Sequence, residues 1–464
     1  MRGVSGKRLS PNDALFLYGE SRDMMFHVAG LMPFEPPPDA SPDHLRHLMD
    51  EIRRGVAVYP PWNLRLRTPD LLWNPLQAWV EEPHVDIEYH VRRTALPSPG
   101  DERELGIVVS RLHGHPIDLH RPPWELHLIE GLEGGRFAIY CKVHHALVDG
   151  FTSMRIMSNA LSSHPDERDR PLFFSIPPAA RAPREHDDAG VHLATLLAAV
   201  REQYGASKSV MRALGTLVQK RRAGEHELVT PLQAPRCVLN ARVSRSRRFA
   251  TQKLATSRLR AVAKASGGTI NDVILALSAA SLRRYLIEQN ALPSAALIAM
   301  VPVSVRAKDD VGGGNSVGAI LASLATDIEA ADERLAEIIA STRQAKQQLQ
   351  GMSKAAILQY SALITSPTML QLIPGAAGHV PPTFNVVISN VPGPEEPRYF
   401  RGARLEAAYP MSIPIHGQAL NITVNSYAGS ICFGFTGCRD TVPHLQRLAV
   451  FCGEAMTELE RAYG

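Results

Sequence analysis

The sequence predicts an α+β protein of two mixed domains, on three observations. A chain of 464 residues is longer than one ordinary core organises. Period-two and helical patterns alternate in both halves, so each half is expected to layer helices on its own sheet. From Ser162 to about Pro235 composition shifts, and residues 163–190, rich in Pro, Asp, Arg and Ala, break those patterns. The domains are therefore expected at 1–180 and 236–464, with a linker of loop and helices over 181–235.

Taken in order, Ser10-Pro11-Asn12-Asp13 reads as a helix start, with Ser as cap and Pro at the first helical position. A short helix through Tyr18 and a strand near 26–34 follow. Leu45, Leu48, Ile52 and Val56 share a helical face. HVDIEYHVRR at 84–93 reads as a strand, and 102–113 as a helix with Leu105, Val108, Val109 and Leu112 inward. Trp124–Ile129 and Phe137–His144, joined through the Gly134-Gly135 turn, make a hairpin, and Met154–Leu161 returns to helix. Residues 193–222 carry helical spacing with a basic end; they read as a linker helix, with an amphipathic membrane anchor as the alternative.

In the second half, Thr269 and Asp272 form a capping box for a helix bearing Ile270, Val273, Ile274 and Leu277. Leu297–Val305 is a continuous apolar run suited to a buried strand. Leu335, Ile338, Ile339 and Thr342 mark another helix, and Ala355–Ile373 an apolar one. Asn385–Asn390 is a strand stopped by Val391-Pro392-Gly393-Pro394. Leu420–Tyr427 and Ile431–Gly437 form a second hairpin, and a helix through Leu445, Leu448, Cys452 and Leu459 closes the chain.

Composition removes several function classes. With 45% hydrophobic and 21% charged residues the chain reads as globular, and a net charge of +4 is too mild to argue for nucleic acid. The five cysteines form no CxxC pair and no secreted-type framework, so reduced thiols are expected. MRGVSGKRLSPNDALF lacks an apolar signal core. No run of about 18 apolar residues predicts a membrane span, so lipid contact is expected to be peripheral.

The chemistry concentrates in RFAIYCKVHHALVDG, residues 136–150. Phe137, Ile139, Cys141 and Val143 share one strand face, and Ala138, Tyr140, Lys142 and His144 the other. Neighbouring strand residues face apart, so His144 and His145 are expected to meet different surroundings. If the register runs on, His145 extends the Phe137–Val143 row into an apolar space. A neutral imidazole there suits a general base for an alcohol. Asp149 is close in sequence, and Gly150 is expected to allow a turn where a side chain would clash. Two alternatives stand beside this. A histidine ending a strand can be a satisfied rim residue, and His-His-Asp can bind metal, although opposed faces and the lack of HExxH spacing argue against shared ligation.

His144, His145, Asp149 and Gly150 spell HHxxxDG, the signature of the chloramphenicol-acetyltransferase-like superfamily. With it come Pro122-Pro123-Trp124-Glu125, Asn271-Asp272-Val273, VPVSVR at 301–306, GGGNSVGAILASL at 312–324, FNVVISNVPGP at 384–394 and ALNITVNSY at 419–427. In this order the set resembles the bacterial wax ester synthase/acyl-CoA:diacylglycerol acyltransferase family, from Leu9 nearly to the C-terminus. Pro123 departs from the family's Pro-Leu-Trp. The resemblance implies two chloramphenicol-acetyltransferase-like domains with the active site in a tunnel between them. It implies transfer of a long-chain acyl group from acyl-CoA, as co-substrate and with no cofactor or metal, to a fatty alcohol or to diacylglycerol. His145 would be the catalytic base, with His144, Asp149, Gly150 and Asn271 in support; the aspartate would be mainly structural, through an arginine. Trp124, Arg306, Asn315, Ser389 and Asn390 become candidate substrate-binding residues, although bulk alone places Trp124 in a core. Asp272 is explained as a helix cap without any chemistry.

Such a transfer needs a base, oxyanion donors and exclusion of water. No GxSxG-type nucleophile is evident, so direct transfer without an acyl-enzyme is expected. The implied setting is the cytoplasm, at the inner membrane face or on lipid bodies. The alternatives are an acyltransferase for another hydroxyl or amine acceptor, and a noncatalytic lipid-binding or lipid-body surface protein.

Overall fold

A computed structural model describes residues 7–9, 11–54, 56–70, 77–177, 233–304, 317–369 and 381–464. The expected Ser10 cap, the linker helices over 193–222 and the first residues of the 312–324 motif lie outside the described residues.

Two large sheets dominate, one for each half. The first has seven strands. Its spine runs Tyr399–Phe400, Ala403–Leu405, His27–Glu35, Phe137–His144, Trp124–Glu130 and Val91–Ala95, and Tyr409–Met411 also pairs with His27–Glu35. Phe137–His144 lies near its middle because both of its faces are apolar or internally paired, and all eight of its residues are buried. The second sheet orders Val317–Ser323, Ile298–Ser304, Val386–Val391, Leu420–Tyr427, Ser430–Cys438 and Arg247–Ala255. Both are mixed sheets. Val91–Ala95 runs parallel to Trp124–Glu130, and Val386–Val391 runs parallel to both of its neighbours.

The helices Thr256–Ser266, Ile270–Glu288, Ala331–Leu349 and Gln446–Tyr463 bury their apolar sides in one large core with the second sheet. Ile270–Glu288 begins with the expected capping box. Thr269 Oγ accepts from the Asp272 N–H at 3.3 Å, and Asp272 Oδ2 accepts from the Thr269 N–H at 2.8 Å. The other side of Leu420–Tyr427 is polar. Asn421, Thr423 and Asn425 alternate there with the core residues Ile422 and Val424.

Residues 399–411 differ from expectation. They fall inside the expected second domain of 236–464, yet their three short strands pair with the first sheet. Between the two sheets this segment covers the polar face. Tyr427 O–H donates to the Leu405 carbonyl at 3.0 Å, and the Ser412 N–H to Thr436 Oγ at 3.2 Å. The approach is so close that a Cβ on Gly434 would sit 1.9 Å from the Pro410 carbonyl oxygen. The region 84–93 also differs. Asp86 caps one helical turn, Ile87–His90, and only Val91–Ala95 is strand. The short strands Leu64–Leu66 and Ala78–Glu81 had no counterpart among the predicted elements.

Candidate active site

The central strand stops at His144, which is paired with His27. The next N–H, that of His145, donates to the Phe26 carbonyl at 2.8 Å, and the chain then turns, with the Leu147 N–H on the His144 carbonyl at 2.9 Å. A helix starts at Gly150 because Asp149 caps it. Asp149 Oδ1 accepts from the Thr152 N–H at 2.8 Å and Oδ2 from the Thr152 hydroxyl at 2.9 Å. The cap is the structural role that this geometry gives Asp149.

His145 leaves the Phe137–Val143 row. Those strand residues pack in the first-half core, whereas the His145 ring lies 4.2 Å from the Phe16 ring. Phe16 and Phe26 both pack into the core of the second half, so the imidazole stands where the two halves meet. The residue is half-buried. Its Nδ1 is sealed from solvent without a partner on another residue. Burial lowers its pKa to about 4. Asp149 opposes that shift, His144 adds to it, and its own backbone carbonyl and Asp13 oppose it more weakly. At neutral pH the ring is therefore an uncharged acceptor, as a general base requires.

His144 serves a different purpose. It is fully buried, with Nε2 2.6 Å from Glu20 Oε2, and the Ala146 N–H donates to its Nδ1 at 3.1 Å. Two places back on the same face, buried Lys142 bonds Glu125 at 3.2 Å and the carbonyls of Leu112 and His115. Burial works against the Glu125 charge, but His127, Lys142 and Arg92 outweigh it and hold the carboxyl at about 2. This paired cluster stiffens the strand that presents the two histidines.

The remaining candidates scatter. Gly150 is corrected: a Cβ there would meet nothing nearer than Val28 at 3.9 Å, so no clash demands glycine. Trp124 is also corrected. It is fully buried, donates Nε1–H to the Trp62 carbonyl at 2.7 Å and stacks on His90 and Phe174, so its whole ring belongs to the core. Asn271 lies in the first turn of Ile270–Glu288, half-buried, beside Ile270 on the edge of the second core. Ser389 and Asn390 are neighbours on one strand and face opposite ways, Ser389 half-buried and Asn390 exposed, so they cannot line one surface together. Arg306 and Asn315 lie outside the described residues. Sequence reasoning missed Phe16, Glu20 and Phe26. Glu20 lies 124 positions from the histidine that it bonds, and no short-range pattern reports such a pairing.

Residues 9–274 match the wax ester synthase/diacylglycerol acyltransferase catalytic domain, and residues 313–460 match the C-terminal domain of the same family. A Mycobacterium tuberculosis protein named for diacylglycerol O-acyltransferase is 50% identical over 99% of this chain and 98% of its own length. The solved wax ester synthase/diacylglycerol acyltransferase of Marinobacter aquaeolei is 40% identical, covering 99% of this chain and all of that one, with a TM-score of 0.79. The first condensation domain of the calcium-dependent antibiotic synthetase shares the two-lobed fold, at a TM-score of 0.61 and 18% identity over 98% of this chain and 96% of that one.

Proposed function

The chain belongs to the wax ester synthase/diacylglycerol acyltransferase family, and from that premise we propose the reaction that its site performs. It is an acyl-CoA-dependent O-acyltransferase. It moves a long-chain acyl group from the thioester to the hydroxyl of a fatty alcohol or of diacylglycerol, giving a wax ester or triacylglycerol and free coenzyme A. The half-buried, uncharged His145 at the junction of the halves carries this reading.

As the hydroxyl oxygen attacks the thioester carbonyl, Nε2 takes its proton. The C–S bond of the tetrahedral intermediate then breaks, and the departing sulfur receives the proton from the imidazolium. Oxygen attacks directly, so no acyl-enzyme forms. Cys141, four residues before the base, is no rival nucleophile, because burial lifts its thiol to about 12. Acyl-CoA enters as co-substrate, with no resident cofactor, through a tunnel between the two halves.

A small apolar hollow lies against the first sheet, walled by Met32, Leu128, Ile139, Met157 and Phe400, and His145 does not line it. Among the described residues no helix is long and apolar enough to cross a membrane. Lipid acceptors are then reached by peripheral contact with a membrane or lipid-body surface on the cytoplasmic side.

The test is release of coenzyme A thiol from a long-chain acyl-CoA, read together with the ester formed, across alcohols and diacylglycerol. His145→Ala should lower turnover by about 10²-fold or more while the far-UV circular dichroism stays native. Wild-type turnover in that variant would remove His145 as base.

A further inference from the structure

We propose that Glu20 is a positioning residue for the base, acting through His144 to hold the backbone on both sides of His145. The inference rests on the acyl-transfer reading above. It starts from the two ring nitrogens of His144, which have different partners. The Ala146 N–H donates to Nδ1 at 3.1 Å, so Nδ1 is the acceptor and the ring proton is on Nε2. Nε2–H then donates to Oε2 of Glu20 at 2.6 Å.

The bond from Ala146 exists only in that tautomer. With the proton on Nδ1, two N–H groups would point at each other in a buried site. A carboxylate accepts and never donates, so Glu20 at Nε2 selects the tautomer that the Ala146 N–H needs. Ala146 directly follows His145, and the His145 N–H is itself held by the Phe26 carbonyl at 2.8 Å. The two peptide groups flanking the base are thus tied, one to Phe26 and the other through His144 to Glu20.

Glu20 is well placed for this task. Its N–H closes on the Leu17 carbonyl at 3.3 Å, just past the helix Pro11–Tyr18 that brings Phe16 against the His145 ring. One short segment near the N-terminus therefore sets the backbone of the base from one side and its ring from the other.

The test uses the full chain and compares Glu20→Ala, Glu20→Gln, His144→Ala and the double variant. Glu20→Ala should lower kcat by about 10- to 100-fold, with KM for acyl-CoA and alcohol within about twofold, because the base is displaced and the substrates' contacts are not. Glu20→Gln should recover most of the rate, since its amide oxygen still accepts from Nε2–H. The double variant should be no slower than His144→Ala alone. Ring-nitrogen NMR should show His144 as Nε2–H in wild type and as a mixture in Glu20→Ala. Wild-type kcat in Glu20→Ala, equal losses in the Ala and Gln variants, or additive losses in the double variant would each overturn the proposal. Should Glu20→Ala fail to fold, the Gln variant and the wild-type spectrum decide: an Nδ1–H signal on His144 overturns it. A wild-type enzyme that releases no thiol with any acceptor sinks the acyl-transfer reading instead, and leaves the tautomer result standing.

Discussion

Acid should inhibit this enzyme later than an ordinary histidine base would predict. The working form of His145 is neutral, and burial sets its pKa at about 4 rather than near the usual 6.5. At pH 5 an unperturbed imidazole would be only about 3% neutral, whereas one titrating at 4 is about 90% neutral, roughly a 30-fold difference in the rate expected. The profile of kcat/KM should therefore run flat from pH 7.5 to about 5 and bend near 4. Folding stability acts on the same axis. His145 and the buried His113, lowered by burial to about 3, both bind protons more readily when unfolded. Each then contributes stability that is complete above about pH 6.5 and is lost as pH falls toward the folded value, about 2 kcal/mol each by pH 5. Initial rates should accordingly be read after a brief pH jump, with circular dichroism recorded in parallel. Coenzyme A phosphates ionise near pH ~6, so an acyl-pantetheine thioester provides the control. An inflection near 6.5 in that substrate, with the protein still folded, would show a solvated imidazole and refute the buried base.

Two further outcomes follow from packing. Gly434→Ala puts a methyl 1.9 Å from a backbone oxygen of the crossing segment, which cannot rotate away, so stability should fall by about 3 kcal/mol or more in urea unfolding; an unchanged midpoint would show that the segment yields freely. Trp124→Phe removes the bond to the Trp62 carbonyl and part of a stacked ring, and should cost about 1–3 kcal/mol while kcat/KM for acyl-CoA stays near wild type; a selective rise in KM would return Trp124 to the substrate.

Local signals in the sequence were read well, and distant ones were not. The helix 102–113, the capping box at Thr269 and Asp272 and both hairpins come from spacing within a few residues, and the structure has them. The turn after His144 was legible from Asp149-Gly150, although the capping of the next helix by Asp149 was not read. Gly150 misled because glycine suggests a steric need, and the space around it is open. Residues 399–411 were missed as strands of the first sheet because each strand is two or three residues long, and Ala403–Leu405 and Tyr409–Met411 find their partners more than 350 positions away. Glu20, Phe16 and Phe26 were missed because a partner more than a hundred residues distant leaves no periodic trace.

That asymmetry has a physical basis in how the site is assembled. The HHxxxDG turn carries the reacting imidazole, but only part of what holds it still. The N–H of His145 is fixed by Phe26, which is anchored in the core of the second half. His27, paired with His144, donates Nε2–H to the His113 carbonyl, and His113 in turn bonds the carbonyl of Ser412 on the segment between the sheets. Arg247, on the first strand of the second sheet, reaches back to the Asp23 carbonyl at 2.8 Å. Prising the halves apart would hand the Arg247 guanidinium and the Asp23 carbonyl to water, a net loss of about 1.5–3 kcal/mol for that charged bond. The base is therefore held by the closed assembly of both halves, so a substitution at the junction can slow the reaction without touching the motif.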